Sequence, residues 1–199
     1  MKVISLFSGA GGLDWGFNKP PYRIIFANDV NSMATCTYAK NFGLRHVGCV
    51  ASEGVVANCD VAQLDFKELD ADIIAGGPPC QDFSIVRGPD RRGIEVRRGK
   101  LYMHFVRALT TIEPSAFVFE SVPGLLTSND GLAFKAILSD FRKSGYEIPF
   151  VGIVDFSALG VPQRRKRLII IGVRKDLLKG IGDFWTAKAL AERALRGSV

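Results

Sequence analysis

Short apolar runs that end in glycine- or acid-bearing turns, each followed by a stretch of helical spacing, set the organisation of this chain. Val3-Ile4-Ser5-Leu6-Phe7 runs straight into Ser8-Gly9-Ala10-Gly11-Gly12, and Leu13 to Phe17 then opens a helix. Tyr22 to Asn28, rich in β-branched and aromatic residues, predicts a second strand ending at Asp29, and Asn31 is placed to cap a helix through Phe42. Further strands are predicted over Ala71–Ala75, Ala116–Phe119, Ile148–Val154 and Leu168–Val173, and helices over Leu101–Ile112, Leu132–Lys143 and Phe184–Arg196. Strands alternating with helices predict an α/β domain, because parallel neighbours need a crossover that a helix supplies. In open sheets of that kind ligands sit at the carboxyl ends of strands. Gly9 to Gly12, Asp29, Cys80, Glu120 and Ser121 each follow a predicted strand directly, so they gather at one edge.

With 199 residues, 47% of them hydrophobic and 23% charged, the chain has the make-up of one globular domain with a real core. Its formal net charge of +6 permits a nucleic-acid partner without requiring one. No apolar run reaches membrane-span length, and Met1-Lys2-Val3-Ile4-Ser5 lacks a signal-peptide layout. The four cysteines, Cys36, Cys49, Cys59 and Cys80, form no CxxC pair, and only two histidines, His46 and His104, accompany them. No metal site is expected, and free thiols in a reducing, intracellular compartment are the simplest reading. Cys36, Cys49 and Cys59 are expected to be buried and inert.

The glycine loop after the first strand frees backbone amides to approach a ligand at a helix N-terminus. Asp29 stands about twenty residues on, where a carboxylate accepts ribose hydroxyls in nucleotide-binding sheets. A dinucleotide loop would carry a third glycine that this one lacks, which leaves room for a smaller nucleoside ligand. Alone, the loop reads as a tight strand-to-helix turn. Asp29 in register favours a ligand. "GGPPCQDFS", from Gly76 to Ser84, raises a parallel question. Two prolines and two glycines fix the backbone before Cys80, which suits a thiol held at a set point and suits a surface turn equally well.

Four stretches in order, "FSGAGGLDWG", "GGPPCQDFS", "FVFESVPGL" and "GVPQRRKR", resemble the DNA (cytosine-5)-methyltransferases, and the likeness runs from Val3 to about Val173. It implies a Rossmann-like, S-adenosylmethionine-dependent methyltransferase fold with a mostly parallel twisted sheet flanked by helices, and one catalytic and cofactor-binding domain over residues 1–199. It implies S-adenosylmethionine as methyl donor. The loop residues Phe7, Gly9, Gly11 and Gly12, the ribose acid Asp29, Val30 against adenine, Asp60 at the adenine amino group, and Pro79 and Leu101 match the donor contacts. Cys80 matches the nucleophile, Glu120 the acid that holds the cytosine ring, and Arg165 and Arg167 the paired arginines.

The chemistry fits those residue types. C5 of cytosine is a poor nucleophile, and thiolate addition at C6 turns the ring into an enamine-like species able to attack a sulfonium methyl. A carboxyl near N3 offsets the developing charge, and an arginine near O2 adds electrostatic support. Burial beside Phe117-Val118-Phe119 is expected to favour the protonated form of Glu120. Gln81 and Ser84 match DNA-side positions. Arg87, Arg91, Arg92, Arg97, Arg98 and Lys100, facing only Asp90 and Glu95, read as a loop that closes on duplex DNA once the target cytosine has flipped out.

Two departures from the pattern stand out. Ser121 occupies the place of the family's usual asparagine, and the family's sequences continue well past the equivalent of Val199 into a target-recognition domain and a last block that completes the donor site. The expectation is therefore a split or truncated enzyme of a restriction–modification system, cytoplasmic and prokaryotic. A partner subunit would carry the target-recognition domain, and an apolar patch would be bare beside Trp185 and Leu190. A catalytically silent donor-binding or regulatory subunit and a tRNA cytosine-5 methyltransferase are the alternatives.

Overall fold

Among the described residues, eight strands order themselves as β3-β4-β2-β1-β5-β6-β8-β7 in a single sheet. The structure, a computed structural model, describes residues 1–79 and 101–178. The strands are β1 (Lys2–Leu6), β2 (Arg23–Asp29), β3 (Arg45–Val47), β4 (Val55–Asn58), β5 (Ile73–Gly76), β6 (Ala116–Ser121), β7 (Tyr146–Asp155) and β8 (Lys166–Arg174). The helices are α1 (Ser32–Phe42), α2 (Leu101–Ile112), α3 (Leu132–Lys143) and the short α4 (Lys175–Leu178). Cys80, Gln81, Ser84, Arg87, Arg91, Arg92, Arg97, Arg98 and Lys100 lie outside the described residues, as do the Phe184–Arg196 helix, Trp185 and Leu190.

All neighbouring strands from β3 to β6 pair in parallel, while β8 runs antiparallel to both β6 and β7. The chain winds outward from β1 through β2 to the edge strand β3, comes back one place to β4, and then crosses to put β5 on the other side of β1. That reversal opens a crevice at the carboxyl ends of the central strands.

Each face of the sheet buries its own apolar set. Phe105 on α2, Phe117 and Phe119 on β6 and Phe141 on α3 meet on one face, with ring centroids 5.4 Å apart for Phe105–Phe119 and 4.6 Å for Phe117–Phe141. On the other face Val3, Ile24, Ala27, Val56 and Ile73 pack with Tyr38 of α1. Asn31 caps α1 by accepting from the Ala34 amide at 3.0 Å, as its position in the sequence predicts, and Gly43 ends the helix in the left-handed region at φ 67°.

Three features differ from the sequence expectation. The segment between Gly43 and Ala71 contains β3 and β4: Arg45-His46-Val47 is an exposed edge strand without an apolar signal, and β4 has only four residues. Glu120 and Ser121 belong to β6 itself, paired with Ile169 and Leu168. The cysteines also depart from expectation. Cys36 is exposed, while Cys49 and Cys59 form a disulfide with Cα atoms 5.4 Å apart. The loop leaving β3 brings Cys49 back beside the end of β4, a proximity that no local spacing reveals.

Candidate active site

The donor-loop candidates are held by hydrogen bonds between two strand ends. The Ser8 amide donates to the Asn28 carbonyl at 3.0 Å, and the Gly9 amide donates to Asp29 Oδ2 at 2.8 Å. The Asn31 amide donates to Asp29 Oδ1, also at 2.8 Å. Asp29 thus fastens the loop after β1 to the end of β2. A carboxylate offers about four acceptor sites, so two remain for a ligand's hydroxyls. Phe7 sits at φ 56°, a left-handed conformation that a bulky side chain adopts only when its surroundings enforce it.

The three loop glycines have different tasks. A Cβ on Gly11 would run into the Phe42 ring, and its φ is 96°, so Gly11 serves the packing of loop on helix. Gly9 needs its glycine for a φ of 53°, with open space beyond. Gly12 has nothing within 4 Å of its Cβ position. Gly9 and Gly12 line a cavity, and Gly11 stands behind them against α1.

Behind the loop Asp14 is fully buried and accepts from Ser5 Oγ at 2.6 Å. Its Oδ1 and the Tyr38 hydroxyl are both buried, and neither completes a well-formed hydrogen bond. Burial pushes the Asp14 carboxyl up to about 6, against the smaller opposing effects of Ser5 and Tyr38. Burial likewise pushes the Tyr38 phenol upward, with the Asp14 charge adding to it.

Two cavities open at the strand ends, and Phe7 and Gly77 line both. The first, about 270 Å³, is lined by Asp29, Val30, Asp60, Pro79 and Leu101, all singled out from the sequence as donor contacts. Asn28, Cys59 and Val61 complete it, and these three were not singled out. Asn28 is buried and donates to the Ala57 and Cys59 carbonyls at 3.1 and 2.9 Å, holding the end of β4 beside β2. A buried asparagine next to a strand-end acid is a weak signal that sequence alone does carry. Asp60 caps the 3-10 turn Val61–Gln63 by accepting from the Ala62 amide at 2.9 Å. The space is concave and mostly apolar, with Asp29 and Asp60 in its lining at the ends of the adjacent strands β2 and β4.

The second cavity, about 240 Å³, contains Glu120, Arg165, Gly9 and Gly12. Arg167 Nε lies 2.6 Å from Glu120 Oε1, both side chains being about one-fifth exposed. Besides the apolar strand Phe117-Val118-Phe119, Glu120 thus has a guanidinium from β8 as its neighbour. A Cβ on Gly77 would lie 2.7 Å from Glu120 Oε2, so that glycine makes room for the other carboxylate oxygen. Gly76 meets a harder limit, since its Cβ would lie 2.6 Å from the Leu6 carbonyl. The two glycines before Pro78-Pro79 are therefore explained by packing, one against β1 and one against the acid. Arg165 is exposed at the cavity mouth, while Arg167 is half-buried behind it. Ser121 alternates to the core side of β6 and is buried.

This sheet order, with one reversed strand and a paired cavity at the switch point, defines the doubly wound class of S-adenosylmethionine-dependent methyltransferases. The family model of the C-5 cytosine-specific DNA methylases matches residues 1–193. The DNA (cytosine-5-)-methyltransferase M.ApeKI of Aeropyrum pernix is 55% identical over 90% of this chain and 45% of its own length. The Type II methyltransferase M.NgoFVII of Neisseria gonorrhoeae is 39% identical over 88% of this chain and 44% of its own. Among solved structures, a prophage-encoded DNA modification methyltransferase of E. coli superposes with a TM-score of 0.70 at 30% identity, covering 89% of this chain and 47% of that one. S. pombe Dnmt2 shares the fold, with a TM-score of 0.69 at 24% identity over 88% of this chain and 51% of that one. This chain belongs to the C-5 cytosine-specific DNA methylase family. It spans about half the length of the relatives it matches.

Proposed function

We propose that this chain carries the chemical half of a DNA cytosine-5 methyltransferase, moving a methyl group from S-adenosylmethionine to C5 of a cytosine flipped out of double-stranded DNA. The observation that carries this reading is the shared wall. The cavity with Asp29 and Asp60 and the cavity with Glu120 and Arg165 meet at Phe7 and Gly77, so a donor in one faces a base in the other. When bound, S-adenosylmethionine supplies an electrophilic methyl on a sulfonium. Asp29 would hold the ribose hydroxyls and Asp60 the adenine amino group, with Val30 and Leu101 packing against the donor. Phe7 and Pro79 close the wall towards the cytosine.

On the cytosine side the Cys80 thiolate adds to C6, and the electron pair is pushed towards C5 and N3. Glu120 holds N3 through its carboxyl, oriented by Arg167, and Arg165 at the cavity mouth supports O2. The C5–CH3 bond would form as the donor's S–CH3 bond breaks to leave a neutral thioether, and loss of the C5 proton to water would restore the C5–C6 double bond and expel the Cys80 thiolate. Gln81, Ser84 and the arginines Arg87, Arg91, Arg92, Arg97 and Arg98 bind the DNA around the flipped base, mainly through phosphates. No described helix is long and apolar enough to cross a membrane, and a cytoplasmic restriction–modification role suits relatives named Type II methyltransferases. Recognition of the target sequence belongs to the half of the relatives' length that this chain does not span, supplied by a partner subunit or by further residues.

The test is transfer of a tritiated methyl group to DNA and, separately, to tRNA, with and without a co-expressed recognition domain. Label in DNA that disappears in Cys80→Ala while donor binding persists is the expected result. Label in tRNA alone, or undiminished transfer by Cys80→Ala, would overturn the assignment.

A further inference from the structure

The Cys49–Cys59 disulfide ends in the wall of the donor cavity. Cys59 lines that cavity directly before Asp60, and its carbonyl accepts from the buried Asn28, which lines the same wall. Its partner Cys49 stands in the exposed Gly48–Val50 stretch that follows β3. β3 is the sheet's edge strand and is joined to β4 by only three residue pairs, Arg45↔Val55, His46↔Val56 and Val47↔Ala57. Beyond Val47 the loop is anchored at its far end, where Glu53 pairs with Lys2 and Arg23 and the Gly54 amide donates to the Ile25 carbonyl, while the stretch around Cys49 is exposed. Val50 is 53% exposed, and Ala51 is only partly buried against the core. The disulfide is thus a covalent tie between the exposed Gly48–Val50 stretch and the segment that presents Asp60.

We propose that this disulfide is a redox latch on the donor pocket: closed, it holds the Cys59–Asp60 segment in the binding geometry, and its reduction weakens S-adenosylmethionine binding. The proposal rests on the first cavity being the donor site. A dithiol reductant attacks the reachable sulfur, Cys49 Sγ, in thiolate form and forms a mixed disulfide, with the electron pair of the broken S–S bond leaving on Cys59 Sγ. The second reductant thiol then closes on its neighbour and releases Cys49. Two electrons and two protons pass from the dithiol to the protein, which ends with two thiols, while the reductant ends as a disulfide. Re-formation is the reverse exchange with a disulfide oxidant. Cys59 loses its link to the loop, and the segment is left to the Asn28 bond to its carbonyl, the Asp60–Ala62 cap, the Gln63 amide on the Asp60 carbonyl and the Arg107 bond to the Val61 carbonyl. If the competent arrangement falls to about a tenth of the population, apparent donor affinity falls about tenfold, since apparent Kd scales inversely with the competent fraction.

The test reads donor binding rather than methyl transfer, so the redox state of Cys80 does not enter. Calorimetric Kd values for S-adenosylmethionine are measured on the 199-residue chain, oxidised and after dithiothreitol, with the disulfide followed by peptide mass. The expected result is a roughly tenfold weaker Kd after reduction, with Cys49→Ser matching the reduced protein and showing no response to dithiothreitol. Cys49 lies outside the cavity, so Cys49→Ser removes the link without altering the wall. Should that variant fold poorly, the comparison of the two wild-type states stands alone. Equal Kd values in the two states, or peptides of Cys49 and Cys59 that are never cross-linked, would overturn the latch. An Asp29→Ala arm separates the two ideas. Weaker binding in both redox states upholds the donor site whatever the latch does, and absence of donor binding in any wild-type state brings both down.

Discussion

Arg167 Nε and Glu120 Oε1 lie 2.6 Å apart, so the one reversed strand of the sheet delivers a guanidinium to the carboxylate near the end of β6. Only a strand running antiparallel to β6 brings its N-terminal end to that place. The ion pair fixes one carboxylate oxygen, and the room left by Gly77 admits the other to the cavity.

Removing the guanidinium is expected to damage chemistry more than binding. In Arg167→Ala the Glu120 carboxylate loses its orienting partner, and kcat falls roughly tenfold to a hundredfold, the range for disturbing a positioned acid. Donor affinity stays unchanged, because Arg167 lines neither wall of the donor cavity. Steady-state kinetics beside donor titration checks this. A matched loss in donor affinity would show that the pair holds the whole site rather than the acid.

Gly76 and Gly77 are adjacent and are expected to fail in different ways. Gly76→Ala drives a methyl into the Leu6 carbonyl and the Phe105 ring, an overpacking fault expected to cost about 1–3 kcal/mol of stability. Gly77→Ala meets chiefly the Glu120 carboxylate, so melting changes little while methyl transfer drops sharply. Thermal unfolding and activity measured on both variants check the contrast, and equal destabilisation would refute it.

Asp14 carries a pH signature. Its carboxyl stands at about 6 in the folded chain because it is buried, against about 3.9 in an unfolded one. Between those values the folded state holds more protons than the unfolded state. The contribution is therefore fully present below about pH 4, is lost as pH rises through about 6, and is flat above that. Asp14→Asn keeps an acceptor for Ser5 Oγ and removes the charge. It is expected to flatten the stability profile between about pH 4 and 6 and to add up to about 3 kcal/mol at pH 8. Denaturant unfolding across that pH range decides it, and an unchanged profile would show that Asp14 is not the group responsible.

DNA binding is expected to weaken markedly from low to physiological salt, because each phosphate neutralised releases counterions. Reversing the charge at Arg91, Arg92, Arg97 and Arg98 flattens the dependence of log K on log salt, since those contacts are lost. A slope that stays the same would place the DNA contacts elsewhere.

What the sequence determined by itself was local. The bounds of α2 and α3, the cap of α1 at Asn31 and the strand-end placement of Asp29 follow from side-chain period, capping chemistry and turn residues, which act within a few positions of one another. The family motifs likewise marked Phe7, Asp29, Asp60 and Leu101 before any wall was visible. Tertiary structure decided the rest, because it depends on strand order. β3 and β4 were too short to show a period of their own, yet β4 places Cys59 and Asp60 beside β2. Gly77 needs its missing side chain only because β6 lies next to β5, and Arg167 reaches Glu120 only because β8 is reversed. Cys49 meets Cys59 because the loop after an edge strand folds back on its neighbour. Such pairings set residues side by side whose separation along the chain carries no signal of contact.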